Sequence, residues 1–101
     1  MEDFKGTPGT FRYEHNAVSS DATYCIEIYS NKCIHNIAYL QGGDLNDTTA
    51  LVNNQRQLEN AKLFSAAPEL LEFALAFTRG GKPYHQLEEL AREAIDKALG
   101  K

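Results

Sequence analysis

Arg79-Gly80-Gly81-Lys82-Pro83 is the segment of this chain best suited to chemistry. Two cations flank two glycines just ahead of an expected helix start. Unpaired backbone N–H groups and the helix dipole favour an anion at such a point. The match to a Walker loop fails, because no strand precedes the segment and no Gly-Lys-Ser/Thr follows a four-residue gap. Phosphate contact and a plain flexible connector both fit these residues. Base recognition would need a ring, and the chain has several. Phe11 and Tyr13 bracket Arg12, and Tyr84 follows the glycine loop. A flat ring beside Arg12 or Arg79 can stack on a base. The candidate ligand-binding residues are therefore Phe11, Arg12, Arg79, Gly80, Gly81, Lys82 and Tyr84.

Other reactive side chains are less well arranged. Cys33 and His35 share an expected strand face, and His15 or Cys25 could join them. A structural zinc site takes four ligands at spacings such as C-x-x-C, which this chain lacks. No metal and no cofactor are expected. Nucleophilic catalysis has no Gly-x-Ser-x-Gly and no Cys–His–Asp order to rest on. The expectation is a binding protein with no catalytic residue, not an enzyme.

The elements that position these residues must come from 101 residues, enough for a single domain spanning 1–101. The hydrophobic fraction is 43% and the charged fraction 24%, as in ordinary globular domains. No apolar run approaches the roughly 20 residues that cross a bilayer, so no membrane partner is expected. The opening Met1-Glu2-Asp3-Phe4-Lys5-Gly6 has no apolar stretch of the secretory type, so a cytoplasmic protein is expected. Net charge is -4, and neither end nor the middle of the chain is net basic. Generic nucleic-acid binding, which needs a positive stripe, is not expected. A small ligand with two or three phosphates needs only a few local cations, so net charge does not exclude it.

Residues 1–10 read as a polar N-terminal arm, with Pro8-Gly9 turning into a strand. Residues 11–40 read as a β-meander. Phe11 to His15 alternates aromatic and polar side chains. Ala22 to Tyr29 puts Tyr24, Ile26 and Ile28 on one face and Cys25, Glu27 and Tyr29 on the other. Cys33 to Leu40 returns with Ile34, Ala38 and Leu40 on one face and Ile37 and Tyr39 on the other. A tight turn at Ser30-Asn31 would pair Tyr29 with Lys32 and Cys25 with Asn36. That register keeps Cys25 and Cys33 apart, so reduced thiols are expected. Gln41 to Asn46 reads as a loop.

Residues 47–99 read as the helical part. Asp47 or Thr48 can cap a first helix ending near Ala66, with Leu51, Leu58, Ala61, Phe64 and Ser65 near one stripe. Ala66-Ala67-Pro68 is a kink or a restart. Pro68 to Thr78 forms a second helix. Tyr84 to Leu99 forms a third, its stripe Leu87, Leu90, Ala91, Ala94, Ile95 and Ala98 set for burial. Glu88–Arg92 and Glu93–Lys97 have i,i+4 spacing on its outer face. The expected class is α+β: a small antiparallel β-meander followed by two or three helices packed on one face. Strands apolar on both faces in so short a chain point to a homo-oligomer.

Two segments carry a resemblance. Thr7-Pro8-Gly9 opens the chain ahead of the aromatic Phe11. Asn60-Ala61-Lys62-Leu63-Phe64-Ser65-Ala66-Ala67-Pro68-Glu69-Leu70-Leu71 sits in the middle. They resemble small phage and prophage proteins that open with Thr-Pro-Gly-Pro-Trp and continue through Asn-Ala-Arg-Leu-Ile-Ala-Ala-Ala-Pro-Glu-Leu-Leu. Thr10-Phe11 replaces the usual Pro-Trp, Lys62 the Arg, and Phe64-Ser65 the Ile-Ala. The resemblance implies a phage origin and an accessory role, with no particular reaction. Two functions compete. One is an oligomeric sponge that sequesters a nucleotide-derived immune signal, of cyclic nucleotide or ADP-ribose type, from a host defence effector. The other is an inhibitor that docks on a host defence complex, as anti-CRISPR proteins do. A structural or regulatory phage protein without a ligand is the remaining reading.

Overall fold

Alternation at period two does produce strands. The computed structural model describes residues 5–15, 23–33, 36–44 and 50–101. Its elements are β1 (Phe11–His15), β2 (Thr23–Ser30), β3 (Asn36–Asp44), α1 (Leu51–Ser65), α2 (Ala67–Arg79) and α3 (Tyr84–Leu99). The strands form one antiparallel sheet in the order β1-β2-β3, so the fold is α+β as expected. Ile26 and Ile28 of the central strand are buried. With Ala61 of α1 they form the core, and Phe11, Tyr13, Tyr24, Ala38, Leu40 and Leu58 pack around it.

The register between β2 and β3 differs from the expected hairpin. Tyr29 pairs with Asn36 and Cys25 with Gln41, with irregularities at Thr23/Cys25 and Ile28/Tyr29. Lys32 and Cys33 lie outside the strand, because the turn at Ser30 to Lys32 also holds the N-terminal arm. The Ser30 hydroxyl donates to the Pro8 carbonyl (2.5 Å) and accepts from the Lys32 N–H (3.0 Å). The Thr10 N–H donates to Asn31 Oδ1 at 2.9 Å. Gly9 sits at φ +94°, and a side chain there would meet Asn31, Lys32 and Ser30. The Thr-Pro-Gly segment is thus a clamp on this turn. Cys25 is buried and Cys33 exposed, and no disulfide joins them. Ile34 and His35 lie outside the described residues.

Gln41 to Asp44, expected as loop, continues β3. Glycine is usually poor in strands, but here it permits close approach of a helix. The Gly43 N–H donates to Oδ1 of the buried Asn54 on α1 at 2.8 Å, and a Cβ on Gly42 would clash with that same oxygen. The expected caps Asp47 and Thr48 lie outside the described residues. The N-cap position of α1 is Ala50.

The stripe of α1 is Asn54, Leu58, Ala61 and Ser65, so Leu51 and Phe64 are exposed instead of packed. The helix lies across all three strands. Ala66, fully buried at φ -90° and ψ 0°, is the single residue between α1 and α2. The chain restarts there, with Pro68 in the first turn, where its missing N–H costs nothing. The middle motif therefore builds a joint: Ala61, Ser65, Ala66 and Pro68 are its buried residues.

From the joint, α2 packs on α3 and α3 returns to pack on α1. The expected Glu93–Lys97 pair is replaced. Lys97 reaches across to Glu69 of α2 at 2.7 Å, both side chains being half-buried. A partly shielded partner holds a cation more strongly than an exposed one on the same helix. Glu88–Arg92 forms as expected, at 2.8 Å. Gly100, at φ +77°, ends α3 and lies against the carbon chain of Lys62. The third helix's stripe is only partly covered: Ala94 is buried, while Ile95 is 52% exposed. Ile95 is therefore not a core residue of the single chain. The chain measures 52 × 26 × 16 Å.

Two expectations for stability follow. Asn54→Ala removes the acceptor for a shielded Gly43 N–H, and should destabilise by about 1–3 kcal/mol, read as a lowered urea midpoint. Burial first, and the nearby Tyr13 second, raise the Tyr24 phenol above its ordinary 10.0. The folded state therefore holds this proton more tightly than the unfolded one. Its contribution is complete below about pH 10 and is lost as pH rises through the folded value. Urea midpoints from about pH 9 to about pH 11 should fall in the wild type and fall less in Tyr24→Phe.

Candidate functional site

The candidate residues separate into two places. The first is the tip of the α2–α3 hairpin. Helix α2 ends at Gly80, whose N–H donates to the Ala76 carbonyl at 3.2 Å. Gly80 and Gly81 sit at φ +73° and +89°, and a Cβ at either would meet nothing within 4 Å. The positive φ explains the glycines, and the empty surroundings leave their backbone open to a ligand. Pro83 then sets the start of α3, accepting from the Gln86 and Leu87 N–H groups at 3.0 and 3.2 Å. The first turn of α3 holds no acid. The positive end of its dipole is thus not neutralised by its own side chains.

Glu72, Leu75, Ala76, Arg79, Gly80 and Lys82 line an open hollow of about 240 Å³ at this tip. Lys82 also borders a neighbouring hollow with Gln86, Glu89, Leu90 and Glu93. The two loop cations thus stand among carboxylates, which lowers their net field. Tyr84 is 79% exposed at the start of α3, so its ring is presented to solvent.

The second place lies at the other end of α3. Phe11, Arg12, Tyr13, Ser65, Lys97, Gly100 and Lys101 line an open hollow of about 260 Å³. About 16 residues of helix separate this end of α3 from Tyr84, or roughly 24 Å. One chain therefore does not bring Phe11 and Arg12 together with the glycine loop.

Strand alternation separates Phe11 and Arg12 as well. Phe11 and Tyr13 pack against the core, while the Arg12 guanidinium lies 4.9 Å from the Tyr29 ring centroid. It also pairs with Glu14 at 3.2 Å. The ring beside Arg12 is thus Tyr29, its directly opposite neighbour on β2, and not Phe11 or Tyr13. The Tyr29 hydroxyl in turn donates to the Glu27 carboxylate. The sequence reading missed Lys97, Lys101 and Ser65 around the second hollow. Nothing local marks them: α1 packing on β1 places Ser65 there, and the return of α3 to α1 brings Lys97 and Lys101. The negative end of the α3 dipole points at this hollow, so an anion is better placed at the tip.

Among the described residues, no group of three or more His, Cys, Asp or Glu is arranged to hold a metal ion. His15 instead shares a hydrogen bond with the Tyr24 hydroxyl at 2.9 Å. Among the described residues, no helix is long and apolar enough to cross a membrane.

A family model described as Salmonella phage P22 protein Y8K6 matches residues 1–101. The chain belongs to that phage protein family. No curated protein and no solved structure matches it. Membership of the P22 Y8K6 family makes this a small phage-encoded protein, which agrees with the origin implied by the resemblance. The joint at Ala66 and the clamp at Gly9 show what the two resembling segments do structurally in this Y8K6-family chain.

The tip of this Y8K6-family protein is separable from its fold. Arg79, the last residue of α2, and Lys82 of the loop are both exposed. The double variant Arg79→Ala, Lys82→Ala should stay within about 0.5 kcal/mol of wild-type stability per substitution, checked by thermal melting.

Proposed function

We propose that this phage accessory protein acts by binding, as an oligomeric sponge for a nucleotide-derived immune signal of the host. The ligand class is an anionic cyclic nucleotide or an ADP-ribose derivative. Arg79 and Lys82 supply charge to its phosphates. Gly80 and Gly81 let the phosphate approach the backbone, and Tyr84 offers a ring to the base. The observation that carries this reading is the tip itself. Two cations flank two positive-φ glycines with open surroundings, at a helix start that has no acid in its first turn. Sequestration in the cytoplasm of the infected host would keep the signal from its effector without any bond being made or broken.

A second reading, an inhibitor of a host defence protein, is favoured by the sheet's outer face. Ile37 and Tyr39 are exposed on β3, and Tyr39 lies opposite Glu27 of β2, the carboxylate bound by Tyr29. Exposed apolar and aromatic side chains beside paired charges suit a protein surface.

Calorimetric titration with cyclic nucleotides and ADP-ribose derivatives separates the two. Tight binding by the wild type, weakened roughly 10- to 150-fold per phosphate contact removed in Arg79→Ala and Lys82→Ala, supports the sponge. Equal binding by the double variant moves the site elsewhere. An empty panel, together with a host protein co-purifying in stoichiometric amount, supports the inhibitor.

A further inference from the structure

The α2–α3 hairpin leaves several large apolar side chains open, among them Phe77, Ile95 and Leu99. Of the 13 residues of α2 only Pro68 is buried, and of the 16 of α3 only Ala94. On α2, Leu70, Ala74 and Phe77 stand at helical i, i+4, i+7 spacing, and Phe77 is 65% exposed. On α3, Ala91, Ile95 and Leu99 stand four apart, with Ile95 and Leu99 exposed. Leu63 and Phe64, where α1 meets the hairpin, are exposed too.

We infer that a second copy of this chain covers the apolar flank of the α2–α3 hairpin, so that two hairpins complete one four-helix layer. The surface area supports a partner of that size. The chain exposes 6825 Å², whereas a compact monomer of its mass exposes about 5,700 Å². The difference, roughly 1,100 Å², belongs to the chain as a whole, and the hairpin contributes to it because α2 packs on little besides α3. The radius of gyration, 16.1 Å, exceeds the roughly 13 Å of a compact chain of this length in the same sense.

Three further arguments select a second copy over other occupants. The hairpin is tied to the rest of the chain chiefly through α1, so a cover that is made together with the chain suits it best. The chain's own copies meet that condition, because they are present wherever the chain is made. Residues 67–99 carry six acids and four bases. That excess of acid disfavours nucleic acid and anionic lipid, while mixed signs let two identical faces meet without a single-sign field. Finally, a two-fold contact is self-complementary, so one apolar flank suffices for both partners. The seam therefore lies on the helices and not on the sheet's outer face, where apolar strand residues first suggested it. The inference does not depend on the ligand reading.

Light scattering and analytical ultracentrifugation of the full chain at micromolar concentration test it. The expected mass is twice 11.3 kDa. Phe77→Asp and Ile95→Asp should each weaken the dimer by at least about 100-fold, since an unpaired carboxylate would be trapped in the seam. Tyr39→Asp, on the sheet's outer face, should leave the mass unchanged. Hydrogen exchange of the wild type on dilution covers the case in which a variant does not fold. Amides of α2 and α3 should lose protection as the protein is diluted, while those of β2 keep it. A monomeric wild type overturns the inference, as does dissociation by Tyr39→Asp or α2–α3 protection that ignores concentration. A dimer that binds no nucleotide leaves this inference standing and overturns the sponge.

Discussion

Ile26 and Ile28 of the central strand press against Ala61 of α1, and every other element takes its position from that contact. A sheet of three short strands cannot bury its inner face without a helix. Helix α1 has little apolar surface to offer, so it packs closely where it can. Ala61 brings its backbone near the strands, and Gly42-Gly43 bring β3 near Asn54. The hydrogen bond from Gly43 to Asn54 is the polar counterpart of the Ile–Ala contact. Together they hold α1 across the sheet and set the line along which α2 and α3 leave it.

The joint at Ala66 and the clamp at Gly9 are the other points at which small residues decide the geometry. A fully buried Ala66 leaves no room for a larger side chain, and Pro68 begins the next helix at once. Helix α3 returns along α1, held by the Lys97–Glu69 pair and by the seating of Gly100 on Lys62. The hairpin therefore carries its two ends into different surroundings. Its tip is polar, cationic and open, while its flank is apolar and only half covered.

That division gives one small protein two surfaces of different character. The tip suits a small anion, because charge, glycine backbone and helix dipole act in the same direction. The flank suits a helical surface, because its stripes are apolar and regularly spaced. The neighbouring carboxylates Glu72, Glu89 and Glu93 temper the first.

Much of this architecture follows from local pattern. Alternation at Phe11–His15 and around Ile26 and Ile28 marks strands and their buried face. Spacing of three and four marks α2 and α3 to within a residue or two, and Pro68 and Gly80 mark where helices restart and end. The glycine loop is legible as a candidate site for the same reason, since its signal is contiguous in the chain. What depended on distant residues was not legible. Gly42-Gly43 reads as a loop until Asn54 arrives to accept its hydrogen bond. Lys97 reads as the partner of Glu93 until α2 places Glu69 beside it. Phe11 and Arg12 read as neighbours until the sheet turns one toward α1 and the other toward Tyr29. Ile95 shows the limit most plainly. Periodicity determines that it belongs to an apolar stripe, but burial depends on what packs against the stripe, and the chain covers Ala94 fully while leaving Ile95 exposed.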